Sequence, residues 1–324
     1  MFRNIAKMWW GPPGWPAVMK QRRREFLMTA GALAAGAAIG AQSSPASART
    51  MATRVIPATG ERLPTIGMGS WITFNVGDSR ELRNDRAKVL QTFFDRGGSV
   101  IDSSPMYGTS QHVIGWCLQH TTNTDSLFAA TKVWTLLQSD GPGQMAESRE
   151  LWGLDRFDLM QVHNLVNWEG HLETLQQDKE DGRLRYIGIT TSHGRRHGEF
   201  EQVMATQPID FVQFTYNIID RDAEERLLPL AAERELAVVI NRPFRHGALF
   251  EDFANEPLPD WAVEIDCDNW AQFFLKFIIS HPAVTCAIPS TSRVDHMEEN
   301  MGALYGALPD EPMRRRMIDH VENL

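Results

Sequence analysis

The chain of 324 residues is 43% hydrophobic and 23% charged with a formal net charge of −9, a balance unlike that of a disordered or membrane-embedded polypeptide and sufficient for one barrel-sized domain. The charge is uneven, because residues 1–48 hold six Lys or Arg and one acid, Glu25, leaving 26 basic and 40 acidic side chains in residues 49–324. Nucleic-acid affinity rests on neutralising phosphates with Lys and Arg, so a body this acidic argues against a nucleic-acid partner.

The first readable segment is Arg22-Arg23-Arg24-Glu25-Phe26-Leu27-Met28, followed by a mildly apolar run over 29–41 and then Ala46-Ser47-Ala48. The last three residues form the small-x-small pattern that a signal peptidase accepts. In this order the features resemble a twin-arginine (Tat) export signal, with Arg23, Arg24, Phe26 and Leu27 in the motif positions. That resemblance implies passage of the folded, cofactor-loaded protein through the Tat translocon, cleavage after Ala48, and a periplasmic or otherwise exported location. The 13-residue apolar run is shorter than the ~20 residues that cross a bilayer, so no stable membrane span is expected. A basic tail without a targeting role is the alternative. The stretch before Met19, with Trp9, Trp10 and Trp15, carries no motif, and Met19 is a second candidate start. Residues 1–48 are thus read as signal peptide plus upstream extension, and residues 49–324 as one domain.

From Arg49 onward, short apolar runs alternate with amphipathic stretches, the pattern of βα units around a parallel sheet. Residues 54–57 and 63–66, separated by a Thr-Gly-Glu turn signal, predict a hairpin, and 66–71 begins the first barrel strand. Further strands are predicted over 99–102, 127–131, 157–162, 184–189, 211–214, 237–240 and 284–288. Helical spacing occupies 86–94, 172–180, 224–234 and 269–279, among other stretches between the strands. Gly97-Gly98, Asp181-Gly182 and His281-Pro282 fall where helices should stop. Eight strands alternating with helices predict an α/β fold, a (β/α)8 TIM barrel with an N-terminal β-hairpin and no internal domain boundary.

Cys117, Cys267 and Cys286 are widely spaced and form no zinc-type pair, so they read as small buried hydrophobes. His193 and His197 stand four apart, as metal ligands on a helix do, but Gly194 and Gly198 weaken that helix and no third ligand is evident. A polar loop is expected there, and no metal.

Barrel enzymes place reacting groups at the C-terminal ends of their strands. The second strand ends in Val100-Ile101-Asp102-Ser103-Ser104-Pro105-Met106-Tyr107-Gly108, the third in Ala130-Thr131-Lys132, and the fourth in Gln161-Val162-His163-Asn164. Singly, each polar residue has a plainer explanation: Asp102 a helix cap, Tyr107 a loop aromatic, Lys132 a solvated charge, His163 a satisfied strand-end histidine. Together they occupy three consecutive strand ends facing one mouth.

Gly98-Ser-Val-Ile-Asp102-Ser-Ser-Pro-Met-Tyr107-Gly108, Thr131-Lys132-Val133 and Asp158-Leu-Met-Gln-Val-His163 resemble the motifs of the aldo-keto reductase family. The likeness runs from about Arg54 to Leu304 and takes in Gly182-Arg-Leu-Arg-Tyr-Ile-Gly188, Gln213 before Tyr216-Asn217, and Ile288-Pro289 leading to Glu299-Asn300. It implies carbonyl reduction by hydride from a nicotinamide, with Tyr107 as proton donor. An ordinary phenol with a pKa near 10 is a poor acid at neutral pH, so Lys132 is expected to lower that pKa, with Asp102 holding Lys132. His163 would orient the carbonyl oxygen. Trp71, Trp134 and Asn164 are expected at the substrate.

The resemblance places the cofactor against Thr190, Thr191, Gln213, Asn241, Arg242, Pro243, Phe244, Ser290, Thr291, Arg293, His296, Glu299 and Asn300. Several of these depart from the family pattern. Thr190-Thr191 stand where Ser-Asn holds the carboxamide, leaving Gln213 for that contact. Asn241 stands where an aromatic stacks on the nicotinamide, with Phe244 as a substitute. Arg293 is the remaining fixed cation for the 2′-phosphate, so NADP(H) is favoured and NAD(H) possible. About 20 residues follow Leu304, a short tail that suggests an open pocket for a small carbonyl substrate. An exported nucleotide-binding or partner-binding barrel without turnover is the competing reading.

Overall fold

The computed structural model describes residues 50–192 and 194–324, so the expectations for residues 1–48 and for His193 lie outside the described residues. The chain opens with an antiparallel hairpin of β1 (Thr53–Val55) and β2 (Arg62–Pro64), in which Thr53 faces Pro64 and Val55 faces Arg62. Then come β3 (Met68–Gly69), α1 (Arg80–Asp95), β4 (Val100–Asp102), α2 (Ser110–Leu118), β5 (Phe128–Val133), α3 (Gly141–Trp152) and β6 (Phe157–Val162). The order continues through α4 (Trp168–Glu180), β7 (Leu184–Thr190), α5 (His197–Thr206), β8 (Phe211–Thr215), α6 (Leu227–Glu233) and β9 (Ala237–Asn241). It ends with α7 (Ala248–Asp252), α8 (Trp270–Ser280), β10 (Cys286–Ala287), α9 (Val294–Gly302) and α10 (Glu311–Glu322).

β3 to β10 form one eight-stranded parallel sheet in sequential order. Its two ends meet: Gly67 donates its N–H to the Ala287 carbonyl at 2.8 Å, and Ala287 donates to the Thr65 carbonyl at 2.9 Å. The predicted (β/α)8 barrel with its preceding hairpin is therefore the observed fold. A closed sheet has no exposed edge, so each strand satisfies its backbone groups internally.

Strand side chains alternate inward and outward, and here the two faces build two cores. Val100, Phe128, Leu159, Tyr186 and Phe211 point into the barrel and pack with Ile56 and Leu63 of the hairpin region, which fill its N-terminal end. Ile101, Ala129, Met160, Ile187 and Val212 point outward into the larger core beneath the helices. Further along the strands, two residues on in β4, β6 and β8 and four in β5, the inward positions become Asp102, Gln161, Gln213 and Lys132, all buried. The interior thus changes from apolar to ionisable at its C-terminal end, and this positions the site.

Several boundaries differ from the sequence expectation for local reasons. β3 stops short of residue 71 because the Ser70 carbonyl accepts from Ser110 Oγ at 2.9 Å while Ser70 Oγ donates to the Asp102 carbonyl at 2.9 Å, and Ile72 then turns the chain with φ 64°. α1 begins earlier than residue 86 because Ser79 caps it, accepting the Leu82 N–H. The predicted helix over 224–234 is a 3-10 turn followed by α6, in which Pro229 sits in the first turn, where a missing N–H costs nothing. His197 opens α5 despite the glycine after it, so it belongs to a helix rather than to a loop. No group of three His, Cys, Asp or Glu able to hold a metal is present among the described residues, and no described helix is long and apolar enough to cross a membrane.

The residues after α9 form α10, which lies along α8. Arg314 stacks over Phe277 at 4.2 Å, and His320 lies nearly parallel to Trp270 at 6.2 Å.

Candidate active site

Asp102 ends β4 and points inward because the strand alternation places it two residues above Val100. Its carboxylate is gripped from three strands. Lys132 of β5 forms an ion pair with Oδ2, while Gln161 of β6 and Gln213 of β8 donate to Oδ1 at 3.1 and 3.0 Å. Lys132 also donates to the Ser103 carbonyl at 2.8 Å, and its side chain is sealed from solvent. An isolated charge at that depth would be costly, and the pair with its added hydrogen bonds is what makes it tolerable. Burial still pulls the Lys132 ammonium down from its ordinary value, against the opposing pull of Asp102.

Tyr107 leaves the mouth on a 3-10 turn, Pro105–Tyr107, whose first free N–H, that of Met106, is accepted by Ser104 Oγ. Gly108 follows with φ 63°, and a Cβ there would lie 2.5 Å from Asn75 Oδ1, so this position demands glycine. The Tyr107 ring stands 5.2 Å from Lys132 Nζ and edge-on to the His163 ring, with centroids 5.7 Å apart. Three consecutive strand ends thus bring Asp102, Lys132, Tyr107 and His163 into one cluster.

The electrostatics of that cluster bring in a further cation. Burial, and then Asp102, push the Tyr107 phenol above its ordinary value, and the cation that opposes them is Arg242. His163 is buried, with Nδ1 2.7 Å from Ser104 Oγ, and burial followed by the nearby Lys132 holds its pKa well below the usual imidazole value. It is a neutral imidazole at physiological pH.

The expected cofactor residues form two groups around the mouth. In the first, Thr190 Oγ1 accepts the Asn164 N–H at 3.0 Å and Thr191 Oγ1 donates to the Arg195 carbonyl at 2.6 Å. Asn241 bridges neighbouring strands, accepting from Thr215 Oγ1 at 2.7 Å and donating to the Thr191 carbonyl at 2.9 Å. Gln213 donates one amide N–H to Asp102 at 3.0 Å. Pro243 is buried, and Phe244 packs into the outer core against Phe250 at 4.7 Å, so it does not replace the missing aromatic at the mouth. Arg242 is half-buried and lines a cavity of about 510 Å³ with Arg245, His246 and Asp220.

The second group lies around the N-terminus of α9. Arg293 caps that helix and pairs with Asp295 through Nε at 2.9 Å, while Thr291 Oγ1 accepts the Arg293 N–H at 3.1 Å. Ser290 and His296 are exposed, Glu299 is half-buried and Asn300 is buried. Of the expected substrate residues, Trp71 stands on the rim, edge-on to His246 at 4.6 Å, and Trp134 is exposed beyond β5. Asn164 adopts φ 53° directly after His163.

Gln161 and Ser104 were not singled out from the sequence. Gln161 carried a usable signal, a polar residue between Met160 and Val162 at the same inward parity as His163. Ser104 carried none, since a serine before proline in a loop is ordinary turn chemistry.

A closed (β/α)8 barrel with a buried acid–lysine pair, a tyrosine and a neutral histidine at the C-terminal mouth has the form of a barrel enzyme, whose reacting groups stand at that end. The profile of the aldo/keto reductase family matches residues 65–319, and the chain belongs to that family and is thereby an oxidoreductase. Among curated relatives it is similar to an aldo-keto reductase, str7, of Strobilurus tenacellus, at 25% identity over 76% of this chain and 85% of that protein. It is also similar to the aldo-keto reductase yakc [NADP(+)] of Schizosaccharomyces pombe, at 24% identity over 81% of this chain and 90% of that protein. Its fold is shared with an aldo-keto reductase from Klebsiella pneumoniae solved in complex with NADPH, with a TM-score of 0.70, 22% identity, and coverage of 84% of this chain and 95% of that one.

Proposed function

We propose that this protein reduces aldehydes or ketones to alcohols with NADP(H), Tyr107 supplying the proton to the carbonyl oxygen. The observation that carries the reading is the cluster of buried Asp102, Lys132 and His163 with the half-buried Tyr107 at one mouth. The reductant is NADP(H), in keeping with the NADPH-bound Klebsiella pneumoniae relative and the yeast relative named for NADP(+). The donor set fits such a dinucleotide: Arg293 and Thr291 at the start of α9 suit the 2′-phosphate, and Arg242 and Arg245 line a cavity wide enough for charged phosphates. When bound, the nicotinamide supplies hydride to the carbonyl carbon.

The residues of the chain do the rest. A phenol raised above its ordinary value enters the reaction fully protonated at neutral pH, so the proton is in place. As it leaves, negative charge develops on Tyr107, and the Arg242 guanidinium with the Lys132 ammonium is there to receive it. A neutral His163 donates a hydrogen bond to the carbonyl oxygen and holds it toward Tyr107. Asp102 keeps Lys132 in the interior, and the glutamines hold the Asp102 carboxylate in place.

Loss of absorbance of the reduced nucleotide, followed with purified protein and a panel of aldehydes, tests this. Tyr107→Phe should lower turnover by roughly 10² to 10⁴ while nucleotide binding persists. Near-native turnover in that variant would overturn the role of Tyr107, and no consumption by the parent chain would favour a nucleotide-binding protein without turnover. That second reading draws on Asn241, whose oxygen and amide are both committed to contacts within the protein.

We also propose that residues 1–48 direct Tat export, on the order of the arginine pair, apolar run and Ala46-Ser47-Ala48. Replacing Arg23 and Arg24 together by Lys should leave an uncut precursor inside the cell, and unchanged fractionation would count against export.

A further inference from the structure

Ser104 is fully buried, two residues after Asp102, and its hydroxyl makes two contacts. It accepts the Met106 N–H at 3.2 Å, the contact that starts the turn carrying Tyr107. Its oxygen also lies 2.7 Å from His163 Nδ1. A hydroxyl has one proton and two lone pairs, and an uncharged imidazole has one N–H and one bare nitrogen. If Nδ1 carried the proton, it would fill the second lone pair of Ser104, and the serine proton would be left in a sealed site with no acceptor among the described residues. If Nδ1 is bare, the serine proton goes to it and every group is satisfied. His163 Nε2 makes no hydrogen bond among the described residues and is not sealed, so it is the ring nitrogen left toward the mouth.

We infer that Ser104 is a positioning residue that fixes the tautomer of His163: its hydroxyl donates to Nδ1, so the ring presents Nε2–H to the barrel mouth. One short turn then sets both groups that meet the carbonyl oxygen, since the oxygen atom that caps the turn of Tyr107 also orients the proton of His163. A bare Nε2 would repel a carbonyl oxygen, whereas Nε2–H attracts it, so the tautomer decides whether the histidine helps or hinders. The depression of the His163 pKa by burial and Lys132 removes the doubly protonated form, leaving only this choice between two neutral forms. The catalytic consequence rests on the reductase reading; the tautomer does not.

The test is a two-bond nitrogen–proton correlation spectrum of the ¹⁵N-histidine-labelled protein at neutral pH, with His163 assigned through His163→Gln. The expected spectrum shows His163 in the Nε2–H form, with Nδ1 shifted as a hydrogen-bonded acceptor. In Ser104→Ala, His163 should move toward a mixture of tautomers, and kcat should fall by roughly ten- to a hundredfold, short of removing an oxyanion donor outright, with NADPH affinity unchanged. Ser104→Thr, which keeps the hydroxyl, should restore both. An Nδ1–H form in the parent protein, or unchanged His163 resonances in a folded Ser104→Ala, would overturn the inference. If Ser104→Ala does not fold, the parent spectrum alone decides. A parent chain that reduces no carbonyl but shows Nε2–H at His163 would sink the reductase reading and leave the role of Ser104 supported.

Discussion

Arg293 at the start of α9 is the cation that the sequence offers to a 2′-phosphate, and the structure gives it a competitor. Its guanidinium is held by Asp295, whose carboxyl is pulled down to about 2 chiefly by that contact. Both side chains are well exposed, so the pair adds little to stability, but a phosphate must share or displace a carboxylate to reach the arginine. Arg293→Ala should weaken NADPH more than NADH, because only NADPH carries the group that a guanidinium binds through paired hydrogen bonds. Calorimetric titration of both nucleotides measures this, and equal losses would refute the assignment. Arg242 belongs to the same scale. It is the cation that opposes the raised pKa of Tyr107, although its sequence position beside Asn241 had suggested only a cofactor contact.

Among the elements, the loops at the mouth hold the strain and the tail helix holds a buried charge. Ile72, Asn164, Leu165, Arg242, Arg245 and His246 all have positive φ without being glycine, and all follow barrel strands at the C-terminal end. Such backbone persists only where the surroundings enforce it. Arg196 does so after β6, donating to the carbonyls of Asn164 and Leu165 at 3.1 and 2.9 Å. In α10, Arg314 donates to Ser280 Oγ at 2.8 Å, Tyr216 Oη at 2.6 Å and Glu224 Oε1 at 3.0 Å. Tail, α8 and the segment after β8 are tied together by this one side chain. Arg314→Met keeps the apolar stem and removes every bond, and should cost about 2–4 kcal/mol in urea denaturation, discounted because Glu224 is partly solvated. A loss under about 0.5 kcal/mol, the range of an ordinary surface change, would mean that the tail is held by its apolar contacts alone.

For the whole molecule, the depressed histidines set an acid limit. Burial lowers the pKa of His163, His246 and His281 from the ordinary 6.5, so the unfolded chain binds more protons than the folded one as pH falls below that value. The sign follows: stability is full above about 6.5 and declines as pH falls, by about 1.4 kcal/mol at pH 5.5 for the buried, neutral His163 and by less for His246 and His281, which solvent reaches. Urea titrations at pH 7.5 and 5.5 measure this, and His163→Gln should flatten part of the slope. A stability that is level or rising toward pH 5.5 would contradict it.

The sequence by itself determined the barrel and the strand ends that carry its chemistry. Alternating apolar runs and helical spacing specify βα units, and polar residues closing consecutive runs after Ile101, Thr131 and Val162 stand at one mouth whatever the details of packing. What only the tertiary structure decided is what each polar group spends itself on. That Gln213 meets Asp102, that Phe244 turns into the outer core, that Arg242 acts on Tyr107, and that Ser104 meets His163 all depend on partners 59 or more residues apart, or on burial. Periodicity reports which face a side chain takes. It carries no information about which neighbour from another strand fills the hydrogen-bond geometry or the low-dielectric space around that side chain, and those two quantities set the charge state of every group at the mouth.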